Sequence, residues 1–218
     1  LVSVSEPYEV AWRPPNEIFA ATTEAVEYRA DSVIPVITAE ALRSTSVDYP
    51  DWILDRYLRL PEDLPDRVAS LARDLTATEP TPYDRAAAIE SYLRQFPYTL
   101  NVPRPGRQED IADYFLFELQ KGYCDYYATS MVVLARSAGL PARLVVGYAS
   151  GTYDPINARY IVTEADAHAW PEIYFPGYGW IEFEPTGGRP QIERSGSDED
   201  ARDFLGDPEV VRKAAEAV

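Results

Sequence analysis

Apolar residues recur first at helical and then at strand spacing along this chain. Leu64, Val68, Leu71, Ala72 and Leu75 form one stripe just after Pro61 and Pro65, which predicts a helix entered through prolines. Thr81 and Pro82 read as an N-cap and first helical position. Ala86, Ile89, Leu93 and Phe96 make the second stripe, which Pro97 ends. Both read as amphipathic helices packed on a core. The longest periodicity follows Gly122: Cys124, Ala128, Met131, Ala135 and Ala138 share a face with Val132 and Leu134 beside it, and Gly139 and Pro141 close it. After this helix the period changes. "ARLVVGYAS", "RYIVTEA", "HAWPEIYF" and "GWIEFEPT" are rich in β-branched and aromatic residues and separated by turn residues, so they read as strands.

Helices followed by a run of strands is an α+β order. Between the second and third helices, "FPYTLNVPRPGRQED" reads as a loop after a short strand, and "IADYFLFELQ" as a helical turn packing aromatics. Residues 1–60 mix short apolar runs with prolines and read as a small strand-rich N-terminal region. Residues 61–188 form the core. Residues 189–218 are charged and poorly patterned, a tail or linker with a short helix from Pro208.

Composition narrows the function classes. With 218 residues, 46% of them hydrophobic, the chain can bury one main core. Thirty-six acidic against twenty basic residues give a net charge of −16, which disfavours nucleic acid and anionic membrane surfaces as partners. No apolar run is long enough to span a bilayer, no signal peptide opens the chain, and a start at Leu1 reads as a piece of something longer. One cysteine and one histidine rule out a disulfide framework and lack zinc-ligand spacing, and no EF-hand loop is present, so no cofactor or metal is expected.

The lone cysteine and the lone histidine carry the chemistry. Cys124 falls at the start of the third helix, where unpaired N–H groups and the helix dipole stabilise a thiolate. Asp125 next to it opposes that charge, and a free cysteine is commonly plain core. A cysteine nucleophile needs a base, and His168 is the one histidine available. A hairpin turn centred near Pro176 sets His168 opposite Glu184, eight residues away on each side. Directly opposed side chains lie roughly 4.5 to 5.5 Å apart at Cβ, close enough for a carboxylate to accept the imidazole N–H. Asp166 is the fallback for that role. Trp170 and Trp180 have the parity to share the face and shield the pair, or to be ordinary core aromatics.

"GYCDYYATSMVVLARSAGLPARLVVGY" followed by "HAWPEIYFPGYGWIEFEPT" resembles the core of the transglutaminase-like superfamily of papain-like thiol enzymes, and is most similar to its bacterial membrane-anchored branch. The segments around "LPDRVASLARDLT" and "YDRAAAIESYL" resemble the helical lead-in, so the likeness spans about Tyr57 to Gly188. The resemblance implies a papain-like fold with the nucleophile at a helix N-terminus packed on an antiparallel sheet. It also implies Cys124 as nucleophile, His168 as base and later acid, and Glu184 as the orienting carboxylate. Many members have aspartate where this chain has Glu184. The implied activity is acyl transfer or hydrolysis on peptide or protein amides, of transglutaminase, deamidase or cysteine-protease type, with an amine, water or both as acceptor. Gln120, four residues before Cys124, is a candidate oxyanion donor or a solvated helix-end residue. The implied location is the extracytoplasmic side of a bacterial membrane, tethered by segments outside this chain. The alternative is a non-catalytic extracytoplasmic binding or scaffold module that keeps the fold.

Overall fold

The computed structural model describes residues 2–4, 7–14, 17–30, 37–103, 105–106 and 109–194. The charged tail expected from residue 189 is thus described only to Arg194, and the short helix expected from Pro208 lies outside the described residues. The chain divides into two compact units, Leu1–Val36 and the part from Ile37 onward. In the first, β1 (Val2–Val4) pairs antiparallel with β4 (Tyr28–Ala30), and β2 (Tyr8–Arg13) with β3 (Glu17–Thr23).

The second unit opens with α1 (Ala39–Arg43) and α2 (Asp51–Tyr57), so the strand-rich reading of residues 1–60 does not extend past residue 36. Thr38 caps α1 by accepting the Ala41 N–H, and Leu42 and Ile53 are fully buried. Helices of five and seven residues hold too few apolar positions to declare a period.

The longer helices follow the sequence pattern: α3 (Asp66–Thr76), α4 (Pro82–Leu93) and α6 (Cys124–Ser137), with the three-residue α5 (Ile111–Asp113) running into a π-helical stretch, Tyr114–Leu119. The stripe residues Val68, Ala72, Ala86, Ile89, Leu93, Met131, Leu134 and Ala135 form one cluster. Each large buried side chain there contributes about 1.5–3 kcal/mol of transfer free energy. At the head of α4, Thr81 accepts the Asp84 N–H and donates its hydroxyl to the Asp84 carboxylate at 2.7 Å. Thr81→Ala is therefore expected to cost about 1 kcal/mol of stability, measured as a lowered midpoint in urea unfolding at unchanged slope.

Three antiparallel strands form the sheet that closes this core, in the order β5 (Ala142–Tyr148), β8 (Ala167–Phe175), β9 (Gly179–Glu182). Between β5 and β8 lies a separate hairpin of β6 (Thr152–Asp154) and β7 (Arg159–Ile161). Along β8 the odd residues Ala169, Ile173 and Phe175 are buried in the core, while Trp170, Glu172 and Tyr174 alternate with them in half-buried positions on the other face.

Pro171 sits in the central strand, a position proline avoids because it has no N–H to give the ladder. Its carbonyl accepts the Phe183 N–H at 3.0 Å, but it cannot return the bond, and β9 ends at Glu182. The chain therefore leaves the sheet just where Glu184 begins.

Candidate active site

The approach to Cys124 is fixed from two sides. The π-helical stretch ends at Gln120, whose left-handed backbone (φ 50°) lets its N–H donate to the Phe115 carbonyl at 2.9 Å. Two residues on, Gly122 is pinned to the segment after α4: its N–H donates to Pro97 O at 3.2 Å and its carbonyl accepts the Thr99 N–H at 2.7 Å. A Cβ at Gly122 would lie 3.2 Å from both the Phe115 and Tyr126 rings, which explains the glycine. Tyr123 is the N-cap of α6 and supplies no side-chain cap. The Tyr126 N–H turns back to the Tyr123 carbonyl at 3.0 Å, while the N–H groups of Cys124 and Asp125, at the first two helical positions, receive no side-chain cap from Tyr123 beside the half-buried thiol. The thiol lies 3.6 Å from Asp125 Oδ1. Gln120 is exposed, and its side-chain amide turns back to Leu116 O at 3.3 Å, away from an oxyanion role.

His168 is the second residue of β8, and its Nε2 lies 2.6 Å from Glu184 Oε2. The pair is enclosed, with His168 7% and Glu184 9% exposed. The other carboxylate oxygen of Glu184 accepts the Thr186 N–H at 3.0 Å, so both oxygens are engaged. The hairpin turn is centred at Gly177, with Phe175 opposite Gly179, one residue beyond the expected centre. Glu184 is therefore displaced by two positions from the place directly opposite His168. The shift keeps parity, so the two side chains stay on one face. Diagonal neighbours are about 7–8 Å apart, and the longer glutamate side chain spans that gap. Asp166 is occupied elsewhere: its carboxylate accepts the Thr163 N–H at 2.7 Å and the Thr163 hydroxyl at 2.9 Å.

Trp170 stacks on the His168 ring at 5.9 Å between centroids, and its own ring lies against Gly147, where a Cβ would come within 3.0 Å. Trp180 packs instead on Tyr57 and Tyr174, at 4.5 and 5.3 Å. A cleft of about 220 Å³ opens on the pair, walled by Tyr148, Ser150, Trp170, Glu182 and Ile192. Among the described residues, no cluster of three or more His, Cys, Asp or Glu side chains is arranged to hold a metal.

Burial penalises the charged imidazole of His168, but the Cys124 and Glu184 side chains outweigh it and raise the pKa to about 9. Glu184 is held below the usual carboxylate range because its contacts with His168 and Thr186 overcome its own burial. The Nδ1 atom of His168 is buried without a hydrogen-bond partner, although Cys124 is among the groups favouring the protonated ring. The ring thus has Nε2 tied to a carboxylate and Nδ1 left for proton exchange. A raised histidine pKa stabilises the fold fully below about pH 6.5 and loses that contribution as pH rises through about 9. The stability difference between wild type and His168→Asn is accordingly expected to shrink between pH 7 and pH 10, followed by urea unfolding at each pH.

Two residues that matter here were not singled out by the sequence reading. Glu90 is buried at 3% exposure and its Oε1 accepts the Glu184 N–H at 2.8 Å. Arg94 donates to the Glu184 carbonyl at 2.6 Å. The available signal was a glutamate on the apolar stripe of α4, four residues after Ala86 and next to Ile89.

Residues 69–185 match the model of the Transglutaminase-like superfamily. The chain is 43% identical over 177 residues to YebA of Bacillus subtilis, covering 78% of this chain and 23% of that protein. It is 35% identical over 148 residues to a protein-glutamine gamma-glutamyltransferase of Pseudomonas aeruginosa, covering 67% of this chain and 22% of that protein. The chain thus spans less than a quarter of these relatives. The crystal structure of the periplasmic domain of TgpA from Pseudomonas aeruginosa is similar, with a TM-score of 0.57 and 34% identity over 64% of this chain and 50% of that one. A solved Cytophaga hutchinsonii chain shares the fold at 20% identity and a TM-score of 0.53, over 85% of this chain and 63% of that one.

Proposed function

The chain belongs to the transglutaminase-like superfamily, and on that premise we propose that it is a thiol acyltransferase acting on peptide or protein amides, with Cys124 as nucleophile, His168 as base and acid, and Glu184 as the orienting carboxylate. The observation that carries this reading is the buried 2.6 Å contact between His168 Nε2 and Glu184 Oε2, with Cys124 acting on the same imidazole.

In the first half-reaction the Cys124 thiolate attacks the amide carbonyl carbon. The C–N bond breaks, and the departing amine or ammonia takes the proton from His168 Nδ1. The negative charge on the carbonyl oxygen is met by the Cys124 backbone N–H at the uncapped start of α6. In the second half-reaction neutral His168 takes a proton from the incoming nucleophile, which displaces the thiolate from the thioester. Glu184 holds the ring in the tautomer that leaves Nδ1 toward the thiol and balances the imidazolium charge. An amine acceptor gives cross-linking, and water gives deamidation or chain cleavage. We favour the amine, because Glu182 stands in the cleft wall of a chain with a net charge of −16, and a cationic amine is attracted there. The glutamyltransferase relative points the same way.

The similarity to a periplasmic domain supports an extracytoplasmic location. Among the described residues, no helix is long and apolar enough to cross a membrane.

The deciding experiment incubates the protein with glutamine-containing proteins and a labelled primary amine. Amine incorporation supports transfer. Ammonia release alone indicates a deamidase, and chain cleavage a protease. No product from any of a broad substrate panel would turn the reading to a non-catalytic binding module.

A further inference from the structure

We propose that Glu90 of α4 and Arg94, the residue that caps its C-terminus, are positioning residues for the Cys124, His168 and Glu184 site, gripping both backbone polar groups of Glu184 so that its carboxylate stays on His168. This rests on the reading of those three residues as the site.

Phe183 is bonded to Pro171 of β8, and backbone groups in a strand alternate in direction, so the N–H and C=O of Glu184 point away from β8. Among the described residues there is no next strand on that side, because β9 is an edge of its sheet. Two side chains stand where that strand would be. Glu90 Oε1 accepts the Glu184 N–H at 2.8 Å, and Arg94, one helical turn later, donates to the Glu184 carbonyl at 2.6 Å. The same guanidinium donates to the Arg189 carbonyl at 2.6 Å and to Thr186 O at 3.5 Å, which ties down the turn whose Thr186 N–H holds Glu184 Oε1. Glu90 Oε2 accepts the Gln191 amide at 3.4 Å.

A carboxylate placed among fully buried Ala86, Ile89 and Leu93 is costly to desolvate. Burial pushes the Glu90 carboxyl up, while the Glu184 N–H, Arg194, Arg94 and Gln191 face it and pull it down. Packing alone would place a leucine there. The groups acting on the His168 ring are Cys124, Glu184 and Arg189. Glu90 reaches it through the backbone of Glu184.

His168 is the one histidine of the chain, so its imidazole carbon and proton resonances can be titrated by NMR without assignment. Wild type is expected to titrate at about pH 9. Glu90→Ala and Arg94→Ala are expected to bring that value down by about one unit or more, a tenfold loss of coupling. Glu90→Gln keeps an acceptor for the Glu184 N–H and is expected to restore the wild-type value to within a few tenths. Should the alanine variants fail to fold by circular dichroism, Arg94→Lys gives the same reading: it keeps the charge but cannot fork to two carbonyls, and is expected to lower the value. In turnover, kcat should fall about tenfold or more with KM unchanged.

A folded alanine or lysine variant with an unmoved His168 titration overturns the proposal. So does an equal drop in Glu90→Gln and Glu90→Ala, which would make the effect one of charge. If wild type turns nothing over while the alanine variants still shift His168, the proposed function fails and the positioning role stands. If turnover falls with His168 unmoved, the positioning role fails alone.

Discussion

Cys124→Ala is expected to abolish covalent turnover, with amine incorporation and ammonia release both falling by about 10⁴-fold or more. Removing the nucleophile from a group of residues that act as a unit costs nearly as much as removing all of them. The site offers no substitute, since the chain has no second thiol. Fold stability should change little, because Cys124 is half-buried and its approach to Asp125 Oδ1 is a long 3.6 Å. Equal urea midpoints for variant and wild type would show that the loss is chemical. Residual incorporation above about one per cent of wild type in a folded Cys124→Ala protein would remove Cys124 from the nucleophile role.

Glu184→Gln is expected to lower kcat by about 10²- to 10⁴-fold, the range spanned by loss of a general base and loss of its orienting carboxylate. The amide keeps the size of the side chain but offers an N–H as readily as an oxygen to Nε2, so the tautomer with its proton on Nε2 is no longer enforced. Without the carboxylate charge the His168 pKa should fall from about 9, and the alkaline limb of the rate profile should move down with it. Glu184→Asp tests the geometry separately. The hairpin register displaces residue 184 by two positions from direct opposition to His168, so one methylene fewer opens the 2.6 Å contact. A fall of about ten- to a hundred-fold in kcat is expected, corresponding to about 1.4–2.7 kcal/mol of transition-state free energy. Full activity in Glu184→Asp would mean that the backbone beyond β9 yields enough to follow the shorter side chain.

The parts of this site that were legible in the sequence are those set by local chemistry. Thr81 and Pro82 mark the start of α4, and Gly122 precedes the helix that begins at Cys124, as the structure has it. The even spacing of His168 and Glu184 about a hairpin turn placed them on one face even though the turn centre lies one residue further on, at Gly177. A shift of two positions preserves parity, and parity is what decides the face. The short helices α1 and α2 were not legible, nor was the first strand of the β6–β7 hairpin, because three to seven residues do not establish a period. Trp180 has the parity to face His168, yet it packs on Tyr57, a residue from α2 that no strand pattern brings near.

The sequence by itself determined the order of the longer helices and the core strands, the superfamily, and the identity of the one thiol and one imidazole available for chemistry, because each of these depends on residue type and local spacing. Only the tertiary structure decided how Glu184 is held. Pro171 ends a ladder formed with a strand twelve residues away, from Pro171 to Phe183. Glu90 and Arg94 lie 94 and 90 residues from the Glu184 backbone groups they bind. Hydrogen bonds across such separations form only when the core has brought α4 against the end of the sheet, and no periodicity along the chain encodes which buried carboxylate will meet which unpaired N–H.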